Sequence, residues 1–224
     1  MYWHELNEKR IGQLRTWLKG KKLIIVGNSI KLMQLEYGQL IDNYGAVCRL
    51  GKGLTKPALG TTIGQRTDIW FSGMLRAGLH NKVDCKWKII TLSTAPTFDM
   101  STPFVPINKV LFQEDFQVYR DFFWCSSLEE TRTYWSSLGF DSEIRPSQGL
   151  VCVDFFARKV GHNSIDIIGF DFFSEKTVIN GVSHSSWHMP TNMVPGSLPH
   201  GGDIERRTML LLKEKYNFNI IPYH

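Results

Sequence analysis

Residues 22–50 constrain the fold more than any other stretch. "KLIIV" is a short continuous apolar run ending in "GNS", "IKLMQLEYGQLID" then returns to helical period, and "AVCRL" is apolar again. A run apolar at every position fits a strand covered on both faces. Strand, tight turn, helix and second strand make a βαβ unit, which commits the chain to a parallel sheet with helices packed over it. "DIWFSG", "WKIITLS", "SIDIIGF" and "FNIIP" supply further strands. The alternation predicts an α/β fold: a single-domain, Rossmann-like α/β/α sandwich around a mainly parallel sheet, over residues 1–224.

The rest of the chain is read around that unit. Residues 2–19 form a helix, with Trp3, Leu6, Ile11, Leu14 and Leu18 near helical spacing and Gly20 as the stop. Residues 51–65, rich in glycine and proline, are a loop over a binding face or a long exposed connection. Prolines at 96, 103 and 106 keep 94–109 irregular, and 110–139 is largely helical. "GLVCVDFFARKV" reads as a buried helix, and 171–202 as a long loop bearing histidines and prolines. The final helix starts in "SLPHGGDIERRTMLLLKEK", where Asp203 can cap, Glu205 lies in the first turn, and Ile204, Thr208, Leu211 and Leu212 form an apolar stripe.

A chain that is 42% hydrophobic and 12% aromatic is neither disordered nor fibrous. Lysine and arginine exceed aspartate and glutamate by 26 to 21, with Lys9, Arg10, Arg15, Lys19, Lys21 and Lys22 near the start. That concentration is either a solvated basic helix or a footprint for a phosphate-rich acceptor such as DNA. Cys48, Cys85, Cys125 and Cys152 are scattered and form no CxxC pair, so a zinc ribbon or disulfide framework is not expected, and a reducing cytoplasm fits. No apolar run approaches the roughly 18–20 residues of a membrane span, and "MYWHELNEKR" lacks the apolar core of a secretory signal. The expectation is a soluble cytoplasmic protein with no membrane partner.

Three places can carry chemistry. In "VGNS", Gly27 lets backbone approach a ligand, Asn28 offers an amide, and the following helix offers unpaired N–H groups to a phosphate; a plain strand-to-helix turn has the same sequence. Neither GxGxxG nor GxxxxGK[ST] is present. In "RPSQGLVCVDFF", Ser147 is an N-cap or part of a site at the helix start. Among His184, His188 and His200, the pair 184/188 has zinc spacing only on a helix, and Pro190 with the surrounding serines argues for a loop; proton transfer is the remaining use.

In this order the segments resemble the sialyltransferase family of eukaryotic type and its bacterial and phage-like relatives. The family's long motif is echoed by "IIVGNSIKLMQLEYGQLIDNYGAVCRLGKGL" and "TIGQRTD", through Gly27, Asn28, Ser29, Tyr37, Gly38, Ile41, Asp42, Val47, Arg49, Gly64, Arg66 and Thr67. "PSQGL" followed by "IDIIGFDFF" looks like the short motif, His184 in "SHSSW" like the third, and His200 to Glu205 like the very short His-x4-Glu. The resemblance implies inverting transfer of a sugar from a nucleotide sugar to an acceptor hydroxyl, with no cofactor and no metal. It implies His200 as general base and His184 steadying the departing phosphate. Gly27, Asn28, Ser29, Arg49, Ser147, Gln148, Gly149 and Gly169 would bind the donor, with Glu205 and Asp203 in supporting roles.

Two departures from the family pattern stand out. Gly51 occupies a place where the family usually has asparagine, and Leu23 and His162 stand where secretory members carry a cysteine pair. A small, basic chain of this kind suits the phage-type setting, in which the acceptor is a hydroxymethylated DNA base and the donor sugar a pentose such as arabinose. The alternatives are a CMP-sialic acid-dependent sialyltransferase acting on a glycan, and a non-catalytic nucleotide-binding relative.

Overall fold

The computed structural model describes residues 3–51, 60–72, 84–91, 121–124, 128–140, 146–172, 177–179, 182–186, 189–190 and 202–222. Along the chain the described strands are β1 (Leu23–Val26), β2 (Ala46–Leu50), β3 (Ile69–Ser72), β4 (Trp87–Thr91), β5 (Asp121–Trp124), β6 (Ile165–Ile168), β7 (Thr177–Ile179), β8 (Val182–Ser186), β9 (Met189–Pro190) and β10 (Asn219–Ile220). Seven make one parallel sheet in the order β10-β6-β1-β2-β3-β4-β5. The helices are α1 (Trp3–Leu18), α2 (Gly38–Asp42), α3 (Gly60–Ile63), α4 (Leu128–Ser137), α5 (Gln148–Asp154) and α6 (Gly202–Tyr216). The α/β/α expectation matches this architecture.

The strands lack polar alternation because both faces of the sheet are covered. Leu23 and Ile25 of β1, Ala46, Cys48 and Leu50 of β2, and Ile165 and Ile167 of β6 join one core with Ile11, Leu14 and Leu18 of α1 and the buried residues of α5. Ile24, Val26, Val47 and Ile168 face the other way, onto Leu32, Ile41 and Ile63. Helix α5 lies deep: every residue from Gly149 to Ala157 is buried, and Phe71 of β3 meets the rings of Phe155 and Phe156 at 5.7 and 6.4 Å.

After Asp154 the helix widens into a π turn, Phe155–Val160, which Gly161 ends in the left-handed region at φ +68°. Asp154 is fully buried, and its charge is compensated by Arg158 Nε (2.9 Å), Arg158 Nη2 (2.8 Å) and the Tyr134 hydroxyl (2.6 Å), which ties α4 to α5. Asp166 plays the same part on β6. It accepts from Lys22 Nζ (2.7 Å), Asn219 Nδ2 (3.0 Å) and the Tyr44 hydroxyl. Burial alone would raise the Asp166 carboxyl, but those donors outweigh it and hold the group below its usual range.

Several elements differ from the sequence reading. Residues 121–124, expected within a helix, are the edge strand β5, because aromatic "DFFW" can extend the sheet beside β4; 110–120 lie outside the described residues. The expected loop 171–202 contains a three-stranded antiparallel sheet, β7-β8-β9, whose first pairing sets Ile179 opposite Val182. The expected helix 30–42 is broken into a 3₁₀ turn, Ile30–Gln34, capped by the Ser29 hydroxyl, and the short α2. The loop 51–65 includes α3, with 52–59 outside the described residues.

Candidate active site

Strand β1 is followed in sequence by β2 on one side of it, yet β6 pairs on its other side. The chain therefore leaves the carboxyl ends of β1 and β6 in opposite directions, which opens a crevice at a topological switch point. Two turns meet there. Gly27 N–H donates to Ile168 O (2.7 Å) and Ser29 N–H to Gly169 O (3.0 Å), and a Cβ on Gly27 would stand 2.1 Å from Gly169 O. The Ser29 hydroxyl donates to Asp171 Oδ2 (2.9 Å).

The start of α5 reaches the same place. A Cβ on Gly149 would meet Phe170 Cε1 at 2.7 Å and Leu50 Cδ1 at 3.5 Å, and Gln148 lies against Gly51 at the end of β2. Asn28 Nδ2 donates to Leu50 O (3.5 Å), while its Oδ1 is buried without a hydrogen-bond partner. A lone acceptor in a crevice lined by glycine backbone is the arrangement a ligand donor would complete. The turns, the β2 end and the α5 start thus bring together Gly27, Asn28, Ser29, Gln148, Gly149 and Gly169.

Two solved structures of mammalian sialyltransferases superpose on this chain with TM-scores of 0.51 and 0.56. They match 90% and 91% of it and 69% and 70% of their own chains, at 16% and 17% sequence identity. The first is in complex with Gal-beta-1-3GalNAc-ortho-nitrophenol. No protein-family model and no curated protein matches the sequence. The chain has the sialyltransferase fold.

Within the sialyltransferase fold, Ser147 caps α5, its hydroxyl accepting from Leu150 N–H (3.1 Å). The same hydroxyl donates to Glu205 Oε2 (2.8 Å), and Ser147 N–H donates to Glu205 Oε1. Glu205 is only 2% exposed, and burial pushes its carboxyl up to about 7 against the two bonds from Ser147. It fastens the last helix to the first turn of α5. Gly202 opens α6 with room for nothing larger, since a Cβ there would lie 2.4 Å from Phe172 O. Asp203 is exposed in the first turn, one residue inside the helix it was expected to cap.

Arg49, expected among the donor contacts, bonds to backbone carbonyls through two of its nitrogens. Its side chain is fully buried on the far face of β2 from Cys48, where Nε donates to Arg66 O (2.9 Å) and Nη2 to Ile63 O (2.7 Å). Burial lowers the guanidinium to about 10, partly offset by Asp42, so it stays charged at neutral pH. Asp42 accepts from the backbone N–H groups of Gln65 (2.8 Å) and Arg66 (2.9 Å), and Arg66 reaches back to Gly45 O (3.0 Å) and Asp68 (2.9 Å). Three residues of the long-motif resemblance, Asp42, Arg49 and Arg66, thus clamp the 60–68 segment to β2.

Gly51 sits at φ +50°, a conformation in which glycine is at ease and asparagine is the best-tolerated replacement. A Cβ there would meet Gln148 Oε1 at 2.9 Å. Gln148 Nε2 donates to Phe71 O (2.6 Å) and Trp70 Nε1 to Gly51 O (2.7 Å), so the Gln148 amide takes the space beside the missing side chain. Cys48 and Cys152, far apart in sequence, have sulfurs 3.7 Å apart in the core, and burial pushes the Cys152 thiol up. This contact joins the long- and short-motif segments.

His184 lies on β8, opposite Thr177 and Pro190, with an irregularity between it and Ser186. Strand β8 runs beside the 30–34 turn that follows Ser29. His188 and His200 lie outside the described residues. Among the described residues no cluster of histidine, cysteine and acidic side chains could hold a metal, and no helix is long and apolar enough to cross a membrane. Sequence reading missed Asp171 and Phe170 as parts of the crevice; their signal was the "GFD" directly after a buried strand, the same grammar as "GNS".

Proposed function

We propose that the chain is an inverting glycosyltransferase that moves a sugar from a nucleotide sugar to an acceptor hydroxyl without a metal, with a CMP-linked sialic acid as donor and a glycan as acceptor. The observation that carries this reading is the convergence of Gly27–Ser29, Gly51, Gln148–Gly149 and Gly169 at the switch point of a sialyltransferase fold. Asn28 Oδ1 supplies an acceptor there for the donor nucleotide, and the α5 start brings a positive dipole end for its phosphate. The glycan found with one neighbour favours a glycan acceptor. Pentose transfer to a hydroxymethylated DNA base finds no counterpart among these neighbours.

In this reading the acceptor oxygen attacks the anomeric carbon as His200 takes its proton. The bond from that carbon to the phosphate oxygen breaks, and its electron pair leaves with the nucleotide, steadied by His184. Strand β8 beside the 30–34 turn supports the role of His184.

The test is turnover of CMP-sialic acid and a panel of UDP- and GDP-sugars with a galactose-terminated glycan, read by nucleotide release and product mass. CMP release with a sialylated product is expected, and His200→Ala should lower the rate by about 10²- to 10⁴-fold while donor binding persists. Equal rates in wild type and variant would remove His200 from the mechanism. No turnover with any donor would leave a nucleotide-binding relative, and a pentose adduct on hydroxymethylcytosine DNA would restore the DNA acceptor.

A further inference from the structure

The opposite end of the sheet carries a second concave site. A cavity of about 540 Å³ lies between the end of α1 and the segment that leads into β6, lined by Arg15, Lys19, Lys21, Lys22, His162 and their neighbours. Lys21 and Lys22 precede β1, and Ser164 precedes β6, with Leu23 N–H donating to Ser164 O (2.9 Å). The crevice opens at the other ends of these strands, four residues away in β1, a distance of about 13 Å.

The first question is whether these cations merely neutralise helix ends. Helix α1 and the π turn after α5 both finish here, and Arg15 donates to the carbonyls of Val160 (2.7 Å) and Lys159 (3.3 Å). Two helix C-termini amount to roughly one negative charge together. Lys22 is paired with Asp166 at 2.7 Å. Arg15, Lys19 and Lys21 remain, so a surplus of roughly two positive charges stands over a cavity that no acidic side chain lines among the described residues. Lys21 Nζ is held 3.7 Å over the Trp17 ring, and Lys86 approaches the same ring at 5.4 Å. Burial first, and then the neighbouring Lys86, lowers the Lys21 ammonium, with Asp68 partly offsetting them.

We propose that this cavity is a binding site for a small polyanion bearing two or more linked phosphoryl groups. Its volume lies within the roughly 300–1,000 Å³ of small-molecule sites. Lysine ammonium groups act as point charges on phosphate, and Arg15 is fixed in place by its two carbonyl partners before any ligand arrives. Burial keeps His162 below its usual range, despite backbone hydrogen bonds at Lys21 and Ser164, so it forms a neutral wall. Among the described residues no Trp, Tyr or Phe lines the cavity as a stacking platform, which disfavours single-stranded nucleic acid.

The test is calorimetric titration of the full chain with inorganic pyrophosphate at about 0.1 M salt, where surface charges more than a Debye length apart are screened. Lys19→Gln/Lys21→Gln should weaken binding about tenfold, the equivalent of 1.4 kcal/mol, with the thermal midpoint of the free protein retained. Lys213→Gln/Lys215→Gln, which removes the same charge from the last turn of α6, should bind as wild type does. Equal affinity in all three proteins, or no binding at millimolar pyrophosphate, would overturn the proposal. So would a DNA duplex that binds through Lys19 and Lys21 and is not displaced by pyrophosphate.

Discussion

Glu205 shows how one buried carboxyl makes the molecule sensitive to pH. Its folded value of about 7 lies above the ordinary 4.5, so between those limits the folded chain holds a proton that the unfolded chain has released. Stability must therefore fall as pH rises from 4.5 to 7 and level off above, by about 3 kcal/mol from this group. Asp166 has the opposite sign: its lowered value contributes stability that is lost only on acidification below its ordinary 3.8. The two windows do not overlap. Glu205→Gln should flatten the fall, so thermal midpoints measured from pH 4.5 to 7.5 should drop more in wild type than in the variant, by roughly 6–12 °C. Parallel curves would mean that Glu205 is ionised throughout. The sequence showed that Glu205 lies in a first turn, but not that Ser147, 58 residues away, is its partner. The surroundings of Arg49 were hidden for a similar reason: on a strand covered on both faces, its type does not say which core its side chain enters.

At the scale of elements, the site is two strand-to-loop turns pressed together. Gly27 is required by space, because a Cβ at 2.1 Å from Gly169 O meets backbone that no rotamer change can clear. Gly27→Ala should destabilise the fold by about 1–3 kcal/mol and abolish stabilisation by the donor nucleotide, as measured by thermal melts with and without CMP. A wild-type midpoint with a retained CMP response would show that the turns separate freely. The turn at 27–29 was legible because it follows an uninterrupted apolar run, and β2, β3 and β6 were legible for the same reason. Strand β5 was not, because four aromatic-rich residues inside a run of helical period carry no signal of their own until β4 pairs with them. The antiparallel pairing of β7 with β8 did have a signal, Asn180-Gly181 between the β-branched 177–179 run and Val182, hidden by the histidines and prolines around it.

Over the whole molecule, β1 and β6 run between two sites of different chemistry: a glycine-lined crevice at their carboxyl ends and a lysine-rich cavity at their amino ends. The modest excess of positive charge, 26 against 21, was visible in composition. The gathering of Arg15, Lys19, Lys21 and Lys22 at the amino ends of β1 and β6 depends on how α1 docks through Ile11, Leu14 and Leu18, and so appears only in three dimensions. Because the sites are more than about 10 Å apart and share no side chain, their ligands should act independently. Each ligand at a hundredfold over its Kd should stabilise the fold by about 2.7 kcal/mol, roughly 5–10 °C in midpoint. CMP and pyrophosphate together should raise the midpoint by nearly the sum of their separate shifts. Lys19→Gln/Lys21→Gln should diminish only the pyrophosphate shift, and Asn28→Ala, which removes the unpaired amide oxygen from the crevice, only the CMP shift. A combined shift no larger than the greater of the two would place both ligands in one site, and pyrophosphate would then be occupying the crevice as a stand-in for the nucleotide's phosphate.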